Sequence, residues 1–296
     1  MDAADLRIFA AVARTGSMTK AAVELGTVQS NVTARVKVLE EHLGVELFER
    51  SHRGVTLTAA GQRLRPFVER VAGLLEDARR AVADDGRPAG ALTIGALETT
   101  AALRLSGLLA TFVAAHPAVD LSLRTGTSGE LVEQVIERRL EGAFVCGPVD
   151  HADLVSETFF KEELVVLTAP DIDDFERLAR EGPLKIIVLR AGCSYRAHLE
   201  ALLTRRGVVG VRTLEFGTLE AIVSCVSAGL GVTLLPKALF GPVWRQGRVR
   251  LHPLPNGEGE VETVFIHHRE AYIASALHAF LALARPPATA RRQAAE

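Results

Sequence analysis

Residues 16–61 read GSMTKAAVELGTVQSNVTARVKVLEEHLGVELFERSHRGVTLTAAG, and the spacing within this stretch decides the N-terminal fold. Ahead of it, Leu6, Phe9, Ala10, Val12 and Ala13 give a first helix its apolar side, which Gly16 ends. Ser17 is a natural N-cap for Met18 to Leu25, with Ala21, Ala22 and Leu25 as the buried stripe. Gly26 stops that helix and another begins almost at once. Small alanines and so short a connection make a helix-turn-helix. The next helix, from about Val28 to Leu43, places Val28, Val32, Val36, Leu39 and Leu43 inward at helical spacing. Opposite them fall Ser30, Thr33, Ala34 and Lys37, flanked by Gln29 and Asn31. This outer face is short, neutral and hydrogen-bonding where a solvated helix would be dense in Glu and Lys. Such side chains can enter a major groove and reach base edges. Glu40 and Glu41 come only at the far end.

The continuation VELFERSHRGVTLT sets Arg50, His52 and Arg53 around a turn at Gly54, followed by the alternating Val55-Thr56-Leu57-Thr58. This predicts a two-stranded wing with cations at its tip, suited to phosphate or minor-groove contact. In another setting the same arginines would read as solvated loop charges. Directly after a helix-turn-helix they read as anchors.

The quoted stretch resembles the winged helix-turn-helix of LysR-type transcriptional regulators. The resemblance is gap-free and rests on Ala21-Ala22, Gln29-Ser30, Leu39-Glu40, Gly44, Leu47-Phe48 with Arg50, and Thr58 through Gly61. It implies that Gln29, Ser30 and Thr33 read DNA, and that Arg50 and Arg53 hold the backbone and minor groove. Ala34 departs from the family, whose members often carry a longer polar or basic residue there. Arg35 or Lys37 would then supply phosphate contact.

Thr58 can cap a long helix reaching to about Ala83. Leu64, Phe67, Val68, Val71, Leu74, Leu75, Ala78 and Val82 form a continuous stripe along a length on the order of 40 Å. A small winged helix cannot cover that stripe, so it seeks a second copy of itself. A homodimer or homotetramer through this linker helix follows, matched to a palindromic operator. Pro66 lies inside the helix and should kink it. Asp84-Asp85-Gly86-Arg87-Pro88 then breaks the pattern.

From Leu92 onward short apolar runs alternate with amphipathic helices. LTIGA, DLSLRT, GAFVCG, ELVVLT, KIIVLR, TLEFG and GVTLLP read as strands, with helices such as Ala101 to Ala115, Glu130 to Leu140 and Ala197 to Arg205 between them. The alternation predicts an α/β architecture with parallel sheets, in which ligands bind beyond the carboxyl ends of strands. Hydroxyls recur at those junctions: Thr99 and Thr100, Thr127 and Ser128, Ser194, and Thr218. Each also suits plain helix capping. The family resemblance implies a regulatory domain like the periplasmic binding proteins, with two subdomains around an effector cleft. Ligand contacts are expected at Thr99, Thr100, Thr127, Ser128 and Thr218. Ala228-Gly229-Leu230-Gly231-Val232-Thr233-Leu234-Leu235-Pro236 looks like the family's C-terminal signature. Amides and hydroxyls favour a small anionic metabolite, to which Arg196 either adds a contact or, equally, stays on the helix surface.

The expected fold class is therefore α+β and multidomain. A winged helix-turn-helix domain spans 1–58, a linker helix 59–88 and an α/β regulatory domain 89–296. Chain crossings near Leu167 and Val264 to Ile266 would divide the last into about 91–166 with 267–290, and 167–266. PPATARRQAAE reads as a disordered tail.

Composition narrows the function classes. With 48% hydrophobic and 24% charged residues the chain suits packed domains, and its net charge of −2 makes DNA binding a local property. No apolar run is long enough to cross a bilayer, and the N-terminus lacks signal-peptide features, so a cytoplasmic protein is expected. Cys146, Cys193 and Cys225 form no CxxC pair. Redox sensing through Cys193 is the alternative signal; as buried small hydrophobes the three thiols need no function. Enzymes are disfavoured by the lack of a nucleophile elbow, phosphate loop, HExxH or paired carboxylates. A plain solute-binding protein would not carry a winged helix. His267-His268 suits a hinge or surface pair better than a metal site. Neither metal nor cofactor is expected beyond the effector. The expected partners are double-stranded DNA, the effector and a second copy, with RNA polymerase a further candidate and no membrane.

Overall fold

The computed structural model describes residues 1–51, 54–180, 183–189, 192–240 and 247–285. The chain divides into two compact units, Met1–Asp85 with Glu137–Arg139, and Gly86–Ile136 with Leu140–Glu296.

In the first unit α1 (Ala3–Thr15), α2 (Met18–Glu24) and α3 (Gln29–Leu43) lead into the hairpin β1 (Phe48–Ser51) and β2 (Gly54–Leu57), then the long helix α4 (Ala59–Ala83). The expected punctuation holds. Gly16 closes α1 in a left-handed conformation, the Ser17 side chain accepts from the Lys20 amide, and that of Thr58 accepts from the Gly61 amide. Asp2 and Asp5 form a capping box at the start of α1. Phe9, Val12, Ala21, Val32, Val36, Leu39, Leu47, Phe48 and Val68 build one core, with the rings of Phe9 and Phe48 5.1 Å apart.

Two positions expected inward are not. Val28 is 65% exposed because it precedes the helix in extended conformation, off the helical wheel. Leu43, at the opposite end, is also exposed. The helix α4 runs unbroken past Pro66. Of its apolar stripe only Val68 is fully buried, while Phe67, Leu74, Leu75 and Val82 stay exposed.

The second unit begins with β3 (Gly90–Ala96), the single turn α5 (Glu98–Thr100), a π-helical turn (Ala101–Leu105) and α6 (Ser106–Ala115). There follow β4 (Val119–Thr125), α7 (Ser128–Ile136), β5 (Gly142–Cys146), β6 (Leu154–Thr168), α8 (Phe175–Arg180), β7 (Lys185–Leu189), α9 (Ser194–Arg205), β8 (Arg212–Phe216), α10 (Leu219–Ser227), β9 (Thr233–Pro236), β10 (Arg250–Pro253), β11 (Glu260–His268) and α11 (Ser275–Ala284).

The expected parallel sheets are in fact mixed. The pairs β3–β4, β3–β5 and β7–β8 are parallel, whereas β6 and β11 run antiparallel to each other and to their other partners. The reason lies in β6, which is far longer than the run ELVVLT implied. Its residues Leu154–Glu163 pair with β11 in the first lobe, and Leu164–Thr168 pair with β9 and β10 in the second. The partner change at Glu163/Leu164 is one chain crossing. The other lies at Gly259, whose carbonyl accepts from the Leu164 amide, since β11 from Glu260 onward belongs to the first lobe's ladder.

One face of the first-lobe sheet packs against α6 and α11 through Phe112, Phe144, Phe159, Phe265 and Phe280. Their edge-on pairs, such as Phe144 with Phe265 at 4.9 Å, suit the ring quadrupoles. The opposite face shares a continuous core with the second lobe, running from Leu131 and Val145 through Val165 to Ile186 and Ile222.

Candidate functional site

The structure presents two candidate sites, one in each unit. In the first, α3 buries Val32, Val36 and Leu39 completely and exposes Gln29, Ser30, Asn31, Ala34 and Lys37 on its outer side. Thr33 is half-buried. Val28 supplies no side-chain cap to the first turn of α3. Asn31 donates from Nδ2 to Thr27 Oγ1 at 3.0 Å, which orients its carbonyl oxygen. Lys37 pairs loosely with Glu41 at 3.5 Å on the surface. Arg35 is turned away from this edge. Its guanidinium lies 3.0 Å from Asp5 and 3.2 Å from Asp2, at the start of α1.

Glu40 does more than mark the helix end. Its Oε1 accepts from the amides of Leu47 (2.8 Å) and Phe48 (3.2 Å), fastening the end of α3 to the start of β1. Arg50 on β1 lies 3.8 Å from the same carboxylate. The wing is held at its other strand by the Val55 amide, which donates to the Gly16 carbonyl at 2.9 Å. Arg53 and His52 lie outside the described residues.

The second site is a cavity of about 220 Å³ between the two lobes of the second unit. It is lined by Leu97, Glu98, Thr99, Thr125, Gly126 and Thr127 from the first lobe, and by Leu189, Cys193, Ser194, Tyr195 and Gly217 from the second. Of the residues expected there, Thr99, Thr127 and Ser194 reach the lining, and Thr100 and Ser128 are buried beside it. Thr218 follows the lining residue Gly217, and its side chain caps α10 by accepting from the Ala221 amide at 3.3 Å. Arg196 is not in the lining; it binds Glu200 at 2.9 Å and Glu215 at 3.2 Å.

The hydroxyls are already engaged with one another. Thr99 Oγ1 lies 3.1 Å from the Tyr195 hydroxyl, and Ser194 Oγ donates to Ser128 Oγ at 2.8 Å. Thr127 and Glu130 exchange two bonds at the start of α7: the Thr127 amide donates to Glu130 Oε2, and the Glu130 amide to Thr127 Oγ1. Tyr195 and Thr125 escaped the sequence reading. Tyr195 follows Ser194 and Thr125 stands two residues before Thr127, at the same two strand-to-helix junctions.

Electrostatics argue against thiolate chemistry here. Burial pushes the Cys146 thiol up to about 11, and burial likewise raises the pKa of Cys193 despite backbone amides that favour its thiolate. Burial also raises the pKa of the Tyr195 phenol, so it remains a neutral donor or acceptor. Among the described residues no cluster of His, Cys, Asp and Glu could hold a metal, and no helix is long and apolar enough to cross a membrane.

A helix-turn-helix with a polar outer edge, followed by a long helix and a two-lobed ligand cleft, defines a ligand-responsive DNA-binding regulator. Comparison with known families agrees. Residues 3–62 match the bacterial regulatory helix-turn-helix protein, lysR family, and residues 85–287 match the LysR substrate binding domain. The chain is 43% identical over 293 residues to the uncharacterized HTH-type transcriptional regulator YusT of Bacillus subtilis (strain 168), covering 99% of this chain and 98% of that protein. It is 41% identical over 276 residues to the HTH-type transcriptional regulator GltR of the same organism, covering 93% of each. Among solved structures, full-length OxyR from Pseudomonas aeruginosa has a TM-score of 0.70 at 22% identity, over 96% of this chain and 93% of that one. Full-length CbnR complexed with its target DNA has a TM-score of 0.63 at 23% identity, over 96% and 99%. At these identities the structural likeness concerns the fold. The chain belongs to the LysR family of transcriptional regulators. It is a DNA-binding regulator with an effector-binding domain, and not an enzyme.

Proposed function

We propose that this regulator reads a palindromic operator in the cytoplasm as a dimer or tetramer joined through α4, and changes its output when a small metabolite enters the interlobe cavity. The observation that carries the DNA reading is the two-faced α3, with Val32, Val36 and Leu39 buried and Gln29, Ser30 and Asn31 presented together. Gln29, Ser30, Asn31 and Thr33 contact bases, while Lys37, Arg50 and Arg53 contact phosphates. Arg35 is assigned to holding α3 on α1. RNA polymerase is a further partner, and the reading needs no cofactor beyond the effector.

Thr99, Thr125, Thr127, Ser194 and Tyr195 make the cavity a site for a small hydrogen-bonding ligand. Its expected negative charge loses two grounds. Arg196 is neutralised by Glu200 and Glu215, and at the start of α7 the Gly129 and Glu130 amides are bonded within the chain. Hydroxyl and carbonyl groups on the ligand therefore matter more than its charge.

Selection of binding sites from random DNA tests the first half. Gln29→Ala should lose discrimination at particular base pairs, and a loss equal for selected and random DNA would refute the assignment. A thermal-shift screen of metabolites on the full chain tests the second, because a ligand stabilises according to its concentration over Kd. The hit should be lost in Thr125→Val, and binding unaffected by Thr125→Val and Thr99→Val together would place the ligand elsewhere.

A further inference from the structure

We propose that Ser194 and Tyr195, adjacent at the start of α9, are positioning residues that latch the two lobes together across the cleft. An entering ligand would then exchange its own polar groups for theirs. Three hydrogen bonds cross the cleft side by side: Tyr195 with Thr99, Ser194 with Ser128, and the Gly129 amide with the Gly192 carbonyl at 3.4 Å. In each pair one partner belongs to the first lobe and one to the second, although up to 96 residues separate them in sequence. Ser128 Oγ also accepts from the Cys146 amide at 3.2 Å, so the serine pair is tied into the end of β5.

The backbone fits this closeness. Gly192 has a φ of +90°, and a Cβ there would lie 2.8 Å from Thr127 Oγ1, so a side chain would wedge the lobes apart. The latch also has a mechanical connection. Thr99 lies in the first turn of the helical run that continues into the π-helical turn carrying Arg104, whose guanidinium grips buried Glu162 with bonds of 2.9 and 3.2 Å and lies 5.6 Å from the centre of the Phe160 ring. Glu162 stands on β6 two residues before Leu164, where that strand changes lobes. One end of this run therefore holds Tyr195 and the other holds the crossing strand. Displacing Tyr195 from Thr99 changes the load on the segment joining cleft to crossing. Single π-turns of this kind recur where a helix serves a function.

The regulatory meaning of the latch rests on the cavity being the effector site; the latch itself does not, and its test uses no effector. Hydrogen exchange on the full chain should show amides of 127–131 opening about tenfold faster in Tyr195→Phe with Ser194→Ala, while β3 and α11 keep their protection. Tyr195→Phe keeps the ring and removes only the hydroxyl. The chain has only two tyrosines, Tyr195 and Tyr272, so tyrosine labelled with carbon-13 beside its oxygen gives two signals. Thr99→Val should move the Tyr195 signal alone. Unchanged exchange at 127–131, exchange raised equally throughout the domain, or an unmoved Tyr195 signal would each overturn the latch. A failed metabolite screen with these results intact would refute only the effector assignment.

Discussion

The Arg35 guanidinium lies 3.0 Å from the carboxylate of Asp5, an acid almost fully buried in the first turn of α1. A cation on the reading helix thus faces an internal carboxylate and ties α3 to the start of α1. DNA affinity and domain stability are therefore expected to separate at this residue.

Arg35→Ala should lower unfolding stability by about 1–3 kcal/mol, since it leaves the buried Asp5 carboxylate only the more distant N-terminal ammonium at 3.9 Å. If Arg35 touches no phosphate, the slope of log affinity against log salt should stay at its wild-type value. A slope smaller by about 0.9 would mark Arg35 as a phosphate contact instead. Denaturant melts and salt titrations on the same preparation decide between the two.

Gly61 lies in the first turn of α4, against Leu47, the residue just before β1 of the wing. A Cβ at this position would lie 2.2 Å from the Leu47 carbonyl oxygen, in addition to 2.9 Å from Leu57 Cδ2. Alanine in place of glycine normally favours a helix by up to about 1 kcal/mol. Here the sign reverses, and Gly61→Ala should cost about 1–3 kcal/mol through forced backbone movement. At Gly107, on α6, a Cβ would meet nothing within 4 Å. Gly107→Ala should be neutral or stabilising in the same melts.

The exposed stripe on α4 should carry the association. Phe67 is 62% and Val82 90% exposed, with Leu74 and Leu75 between them. Replacing Leu74 and Leu75 together by Asp should raise the dissociation constant at least about a hundredfold, given the transfer energies of two leucines. Sedimentation velocity across a concentration series checks this, and unchanged assembly would refute a dimer joined through α4.

Two buried thiols set a pH dependence, Cys146 at the end of β5 and Cys193 in the cavity lining. Folding holds the Cys146 pKa at about 11 against an ordinary 9.0, so the folded chain keeps a proton that the unfolded chain releases first. That contribution to stability is complete below pH 9 and lost as the pH rises toward 11. Cys193 is shifted in the same direction by burial. Neither thiol should alkylate at pH 7.4 faster than an ordinary free cysteine, and mild peroxide should leave both as thiols by mass spectrometry. Rapid oxidation of Cys193 would revive a redox signal.

The sequence by itself determined the parts set by near neighbours. Ser17 and Thr58 cap helices through amides three residues away, Gly16 turns α1 by its own backbone, and the spacing of Val32, Val36 and Leu39 states which side of α3 is buried. The cleft was legible only as a set of strand ends bearing Thr99, Thr127 and Ser194. Which of those hydroxyls face a ligand, which face each other, and where the lobes divide were decided by tertiary structure. Arg35 reaching Asp5, Glu40 reaching Leu47, Tyr195 reaching Thr99 and β6 extending back to Leu154 each depend on segments brought together from outside the local run. Caps and periodicity act over one helical turn, so composition and spacing encode them directly. A hydroxyl or a charge records nothing of its partner until packing has chosen which of several groups lies within 3 Å.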